Sequence, residues 1–164
     1  AAIQDNLDRM EHLIDDLLDL AREGQALDDT ETVQLRDVAA AAWAAVDAPA
    51  ATLENQLTGV AQADLSRLTQ LFENLFRNAV DHGGPTVTIE VGRLHHGFFV
   101  ADDGPGIPPQ DRGAIFEHGY STTEEGTGYG LSIVAEVADS HGWEVAVTES
   151  DDGGARFEVT GLDL

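Results

Sequence analysis

The chain has 164 residues, 42% of them hydrophobic, enough for one domain with a proper core and a short appendage. Asp and Glu number 31 against 8 Lys and Arg, a formal net charge of −23, and every basic residue is an Arg. Sequence-independent nucleic-acid binding needs clustered Lys and Arg, so this balance argues against it. The absence of Cys removes any disulfide framework or cysteine metal site.

The negative charge is spread along the chain instead of gathered in a tail. A solvated acidic surface keeps a protein soluble in strong salt, where screening removes most self-repulsion. A salt-loving source, such as a halophilic archaeon, is therefore expected. No apolar run reaches the length of a membrane span and no signal peptide is visible, so the expected setting is cytoplasmic.

Residues 1 to about 23 read as one helix, opening in mid-helix as a segment of something longer would. Ile3, Leu7, Met10, Ile14, Leu17 and Ala21 form a heptad seam, broadened by Leu13, Leu18 and Leu20, and Gly24 ends it. Such a seam needs a partner. It either folds back on its own domain or packs against another helix pair in a dimer. Thr30 to Leu35 reads as a short strand, and Arg36 to Val46 as an Ala-rich helix stopped by Pro49. Residues 52 to 62 read as a weak hairpin or irregular strands. Asp64 caps a helix running to about His82, with Leu65, Leu68, Leu71, Phe72, Leu75, Phe76 and Ala79 facing inward. Gly83-Gly84-Pro85 stops it.

Thr86 to Gly92 and Gly97 to Asp102 alternate as strands. Residues 103 to 127 hold 5 of the 17 Gly and 3 of the 5 Pro and read as a long loop, which in a compact domain usually serves a function. Gly128 to His141 reads as a helix with Leu131, Val134, Ala135 and Val137 on its apolar side. Trp143 to Glu149 and Ala155 to Thr160 form a closing hairpin around Asp152-Gly153. The mixture predicts an α/β fold: a two-layer α/β sandwich, with a mixed or antiparallel sheet carrying helices on one face.

Three short segments carry chemistry. Asn74 and Asn78 lie four apart, so both amides leave one face of the long helix. An amide oxygen is a hard ligand suited to Mg²⁺, although Asn on a helix is also a common solvated or capping residue. Asp102 ends a strand and meets Gly104 and Gly106. Its carboxylate can accept from the exocyclic amine of adenine while the glycines let the backbone approach a ring, or the segment is a plain Asp-Gly turn. Gly126, Gly128 and Gly130 lack the βαβ setting of a dinucleotide fingerprint, and without Lys there is no phosphate loop. What remains is a helix N-terminus whose N–H groups and dipole favour an anion, with Thr127 adding a hydroxyl. The six His are too scattered for a metal cluster: His12 lies on a charged helix and His95-His96 at a turn, with His82 and His118 nearer the candidate site.

At these residues the chain resembles the ATP-binding catalytic domain of sensor histidine kinases, within the wider Bergerat-fold superfamily. Residues 73–79 match the N box, 102–107 the first glycine box, Ile115-Phe116-Glu117 the F box and 126–131 the second glycine box. Residues 9–18 resemble the second helix of the family's dimerisation and phosphoacceptor bundle. The resemblance implies a partial bundle helix over 1–24 and an ATP-binding catalytic domain over 25–164. It implies Asn78 as the Mg²⁺ ligand and Asn74 as the second catalytic amide. ATP would meet Asn74, Asn78, His82, Asp102, Gly104, Gly106, Ile107, Gly126, Thr127, Gly128, Tyr129, Gly130 and Leu131. Pro108 to Thr127 would form a mobile lid.

Implied partners are a phosphoacceptor helix bundle, a response-regulator receiver domain and a second copy in the full-length protein, itself open to membrane attachment. Asp81 and His82 stand where the family often has Lys and then Tyr or His, and His118 where the lid often carries a basic residue. Those departures leave phosphate neutralisation to Mg²⁺, backbone N–H groups and a cation such as Arg77 or Arg112, to which no firm role is assigned. No phosphoacceptor His is recognised in residues 1–30. The competing expectations are a degenerate nucleotide-sensing or docking module, and an anti-sigma-type serine kinase.

Overall fold

The computed structural model describes Met10, Leu13, Ile14, residues 30–112, Ile115, Phe116 and residues 130–163. Met10, Leu13 and Ile14 are helical, and Met10 and Ile14 are exposed. The rest of the expected first helix and of its heptad seam lies outside the described residues.

From residue 30 the order is β1 (Glu31–Gln34), α1 (Leu35–Ala44), β2 (Thr52–Asn55), β3 (Val60–Ala63), α2 (Leu65–Gly83), β4 (Thr88–Leu94), β5 (Gly97–Asp102), α3 (Gly130–Ser140), β6 (Glu144–Glu149) and β7 (Ala155–Thr160). Five strands form one mixed sheet in the order β2-β4-β5-β7-β6, and β1 pairs with β3 in a separate two-stranded sheet. Only β2 against β4 is parallel in the large sheet.

The strand period of two decides which face is covered. Ile89 and Val91, Phe98 and Val100, and Phe157 and Val159 are buried, while Glu90, Phe99, Arg156 and Glu158 between them are only half-buried. On the buried side Phe98 meets Phe72 of α2 with ring centroids 4.9 Å apart, and Phe72 stacks on Phe76. Helices therefore cover one face, as the two-layer expectation requires.

Two sequence expectations change. Residues 52–62 are not a hairpin: β2 joins β4, and β3 joins β1. The Asn55 side chain accepts the Leu57 N–H at 3.2 Å, an Asx turn that ends β2. Leu57 is then fully buried, and the chain leaves for the other sheet. Leu65 is 44% exposed instead of inward-facing, because the buried stripe of α2 starts at Leu68, one turn further in.

The Asp64 cap is as expected, its carboxylate accepting the Arg67 N–H at 3.2 Å. A second tie at this end was not legible in the sequence. The Asp64 N–H donates to Nε2 of His141 at 3.1 Å, and Nδ1 of the same ring lies 2.8 Å from the Val137 carbonyl. A carbonyl only accepts and an N–H only donates, so the two neighbours select the neutral Nδ1–H tautomer. This ring, stacked on Trp143, clasps the start of α2 to the end of α3. The two helices are thereby held antiparallel, with the start of α3 beside the middle of α2.

Candidate functional site

The site grows from one stripe of α2. Asn74, Asn78 and His82 follow at intervals of four, so their side chains line one face, each about one turn beyond the last. The two ends of this stripe have known neighbours. At the first, Asn74 is 3% exposed, its Nδ2 donates to the Gln70 carbonyl at 2.8 Å, and its Oδ1 faces the start of α3. A Cβ built on Gly130 would lie 3.4 Å from that oxygen. At the other end, His82 and Asp102 each feel the other's charge. Asn78 sits between, half-buried, with no side-chain hydrogen bond to another described residue.

Asp102 is placed by strand parity. It follows Val100 and Phe98 on β5 and pairs across from Ile89, so its carboxylate belongs to the helix-bearing face, at the sheet's end. The turn after it packs directly on the end of α2. A Cβ on Gly104 would come 2.7 Å from the Gly83 Cα, so the two backbones touch there and only glycine fits. Gly106 has φ +79 and abuts the carbonyl of Gly153, which a Cβ would approach to 2.7 Å. Gly104 thus ties the first glycine box to the Asn-bearing helix, and Gly106 ties it to the β6–β7 turn. Ile107 is half-buried against the core, and its carbonyl accepts from Nε of Arg112 at 3.2 Å.

The carboxylate is held before any ligand arrives. Asp102 Oδ1 accepts the N–H groups of Gly104 at 2.9 Å and Ala155 at 3.2 Å. Burial pushes this carboxyl above the ordinary carboxylate range, against the opposing pull of those two N–H groups and of His82. Burial likewise lowers His82, and Asp102 opposes that shift.

The structure thus brings Asn74, Asn78, His82, Asp102, Gly104, Gly130 and the buried Leu131 around one end of the α2–α3 pair. Gly126, Thr127, Gly128 and Tyr129, like Glu117, His118 and most of the expected lid, lie outside the described residues. Of the F box, Ile115 is fully buried and Phe116 packs edge-on against Phe157 at 6.2 Å, anchoring that segment to the core. Arg77 is not at the stripe. It pairs with Glu73 at 3.4 Å and, with Asp47 and Asp81, lines a groove between α2 and the end of α1. Among the described residues, no three His, Asp or Glu side chains gather as a metal cage.

Sequence reasoning missed Ser150 and Gly154. The Ser150 hydroxyl donates to the Asp102 carbonyl and accepts the Gly154 N–H, both at 2.8 Å. The Ser-X-X-Gly-Gly pattern was visible as a turn, but nothing local tells which strand that turn leans on.

This arrangement joins an amide-bearing helix, a buried carboxylate in a glycine turn and a helix N-terminus on one side of a sheet. The family of histidine kinase-, DNA gyrase B- and HSP90-like ATPases matches residues 63–164, and the chain belongs to it. Among curated relatives it is similar to the sensor histidine kinase ZraS of Salmonella typhimurium, 32% identical over 93% of this chain and 35% of that protein. The chain spans about a third of the length of the curated relatives it matches. Among solved structures it resembles the mycobacterial sensor histidine kinase MprB, with a TM-score of 0.72 and 25% identity over 81% of this chain and 97% of that one. It also resembles full-length ShkA in complex with AMPPNP, with a TM-score of 0.72 and 28% identity over 99% of this chain and 38% of that one.

Proposed function

We propose that this chain is the ATP-binding catalytic portion of a two-component sensor histidine kinase. It would pass the γ-phosphoryl group of ATP to a His on a bundle helix outside the chain. The observation that carries the reading is the α2 stripe, whose two ends face the start of α3 and Asp102. The relatives' names and the AMPPNP in ShkA support the ligand class.

In this reading Asp102 accepts from the adenine amine, with Gly104, Gly106 and Ile107 shaping the pocket floor and His82 beside it. The N–H groups and dipole at the start of α3 favour the phosphates, helped by Gly126, Thr127, Gly128, Tyr129, Gly130 and Leu131. The residues fit a magnesium ion: Asn78 offers a hard amide oxygen uncommitted to any described neighbour, and Asn74 Oδ1, one turn earlier, faces the start of α3. Magnesium, when bound, neutralises charge on the phosphate oxygens. The chain itself positions the terminal phosphate and supplies fixed dipoles around it more than covalent chemistry.

Residues 25–164 would be the catalytic domain and 1–24 the end of a bundle helix. A second copy and a response-regulator receiver domain would act in the whole protein. The setting would be cytoplasmic, with membrane attachment elsewhere; among the described residues no helix is long and apolar enough to cross a membrane.

Calorimetry with ATP in the presence and absence of Mg²⁺ tests the site. Asn78→Asp and Asn78→Ala are expected to abolish the magnesium-dependent heat, and unchanged affinity in both removes the metal role. Labelled ATP, this chain and an isolated phosphoacceptor bundle test the activity. Acid-labile phosphate on the bundle is expected. No transfer favours a nucleotide-sensing module, and acid-stable label points to a serine kinase.

A further inference from the structure

We infer that Ser150 is a positioning residue that leaves the Asp102 carboxylate free to discriminate the base; the inference rests on the adenine-reading role proposed for Asp102. The β5–β7 register pairs Ala101 with Arg156, so Asp102 stands opposite Ala155 when the pairing is continued by one residue. At that last rung the bonding is exchanged. The Ala155 N–H goes to the Asp102 side chain, at Oδ1, and the Asp102 carbonyl takes the Ser150 hydroxyl instead. Ser150 is itself fixed. It is 8% exposed, its Oγ accepts the Gly154 N–H, and its N–H donates to the Gly154 carbonyl at 2.8 Å.

Gly154 is what allows the turn to come this close. A Cβ there would lie 2.1 Å from the Asp102 carbonyl oxygen and 2.5 Å from Oδ1. Any other residue would push the turn off the carboxylate.

The consequence for recognition is geometric. Oδ1 is occupied by two backbone N–H groups, which fix the carboxylate plane, while Oδ2 takes no hydrogen bond from a described residue. That leaves Oδ2 to receive a donor from the ligand. Without the Ser150 hydroxyl, the Asp102 carbonyl is a buried acceptor lacking its donor, and leaving such a group unmade is costly. The Ala155 N–H is the adjacent donor able to satisfy it. If it turns to the carbonyl, Oδ1 loses one of its two anchors and the carboxylate gains freedom at the point where it must be rigid. A six-keto purine has no amine at that position, so its binding should be insensitive to this loss.

The test compares magnesium-dependent binding of ATP and of inosine triphosphate by calorimetry, using the 164-residue chain and its Ser150→Ala and Ser150→Thr variants. The native chain is expected to favour ATP by ~10-fold or more, the range of a hydrogen bond to a charged group. Ser150→Ala should lower ATP affinity ~5–10-fold while inosine triphosphate stays within about 2-fold, and Ser150→Thr, which keeps the hydroxyl, should restore the preference. If the Ala variant does not fold, Ser150→Cys, whose thiol is a weaker donor with longer bonds, takes its place with the same expectation. A fall of equal size for both nucleotides, or an unchanged preference in the Ala or Cys variant, overturns the inference and leaves Asp102 as the base reader. A native chain that binds both nucleotides alike overturns the role of Asp102 and this inference with it.

Discussion

The two ends of the proposed nucleotide site are built differently. Asp102 has two N–H groups on one carboxylate oxygen and a hydroxyl on its carbonyl, and it is buried between a strand, a glycine turn and a hairpin. Asn78, one helical turn from His82, has no side-chain hydrogen bond to another described residue. The first end is preorganised, so its ordering cost is met during folding. The second is left for the ligand to complete. Selecting a base calls for a rigid acceptor, whereas phosphates bring charge of their own and can organise an uncommitted amide.

The largest expected effect probes that contrast at the open end. Asn78→Ala should remove magnesium-dependent ATP binding yet leave stability within about 0.5 kcal/mol, since no described hydrogen bond is lost. Denaturant unfolding beside calorimetry checks both halves. A large stability loss would make Asn78 structural and erase the distinction. Next comes Gly104→Ala at the rigid end. Its Cβ would meet the Gly83 Cα at 2.7 Å, and the expected cost is about 1–3 kcal/mol with weakened nucleotide binding. A variant as stable as the parent would mean that this junction yields easily.

A smaller effect concerns pH. Burial raises Asp102 in the folded chain, so its contribution to stability is full below the ordinary carboxylate range and fades as pH rises through the raised value. Burial lowers His82, so its contribution is present above the ordinary imidazole range and lost as pH falls through the lowered value. Asp102→Asn keeps an oxygen for the Gly104 and Ala155 N–H groups but cannot ionise. It should be at least as stable as the parent at neutral pH, lose the acid-side gain, and bind ATP more weakly. Urea titrations across pH decide this, and a variant less stable at neutral pH contradicts it. The smallest effect belongs to Arg77→Ala. A half-exposed i,i+4 pair contributes about 0.3–0.5 kcal/mol, and ATP affinity should not change because the side chain lines the groove between α2 and the end of α1.

Much of this was legible along the chain. The apolar period of α2 with its Asp64 cap, the alternation of β4 and β5, and the final hairpin all encode local geometry, and the structure follows them. The intervals Asn74–Asn78–His82 and Asp102–Gly104 are likewise local, so the candidate site could be read without coordinates. Residues 52–62 do hold short strands but not the hairpin alternative, because each strand finds its partner far away, Thr52 beside Thr88 and Ala63 beside Glu31.

The sequence by itself determined the candidate site residues and which segments could hold them, because capping, periodicity and glycine turns act over a few residues. Tertiary structure alone decided what surrounds them: Ser150 on the Asp102 carbonyl, Gly83 on Gly104, and His141 between α2 and α3. Those contacts depend on the path of the chain through space, where residues 48 or 77 positions apart become neighbours, and no local pattern records that path.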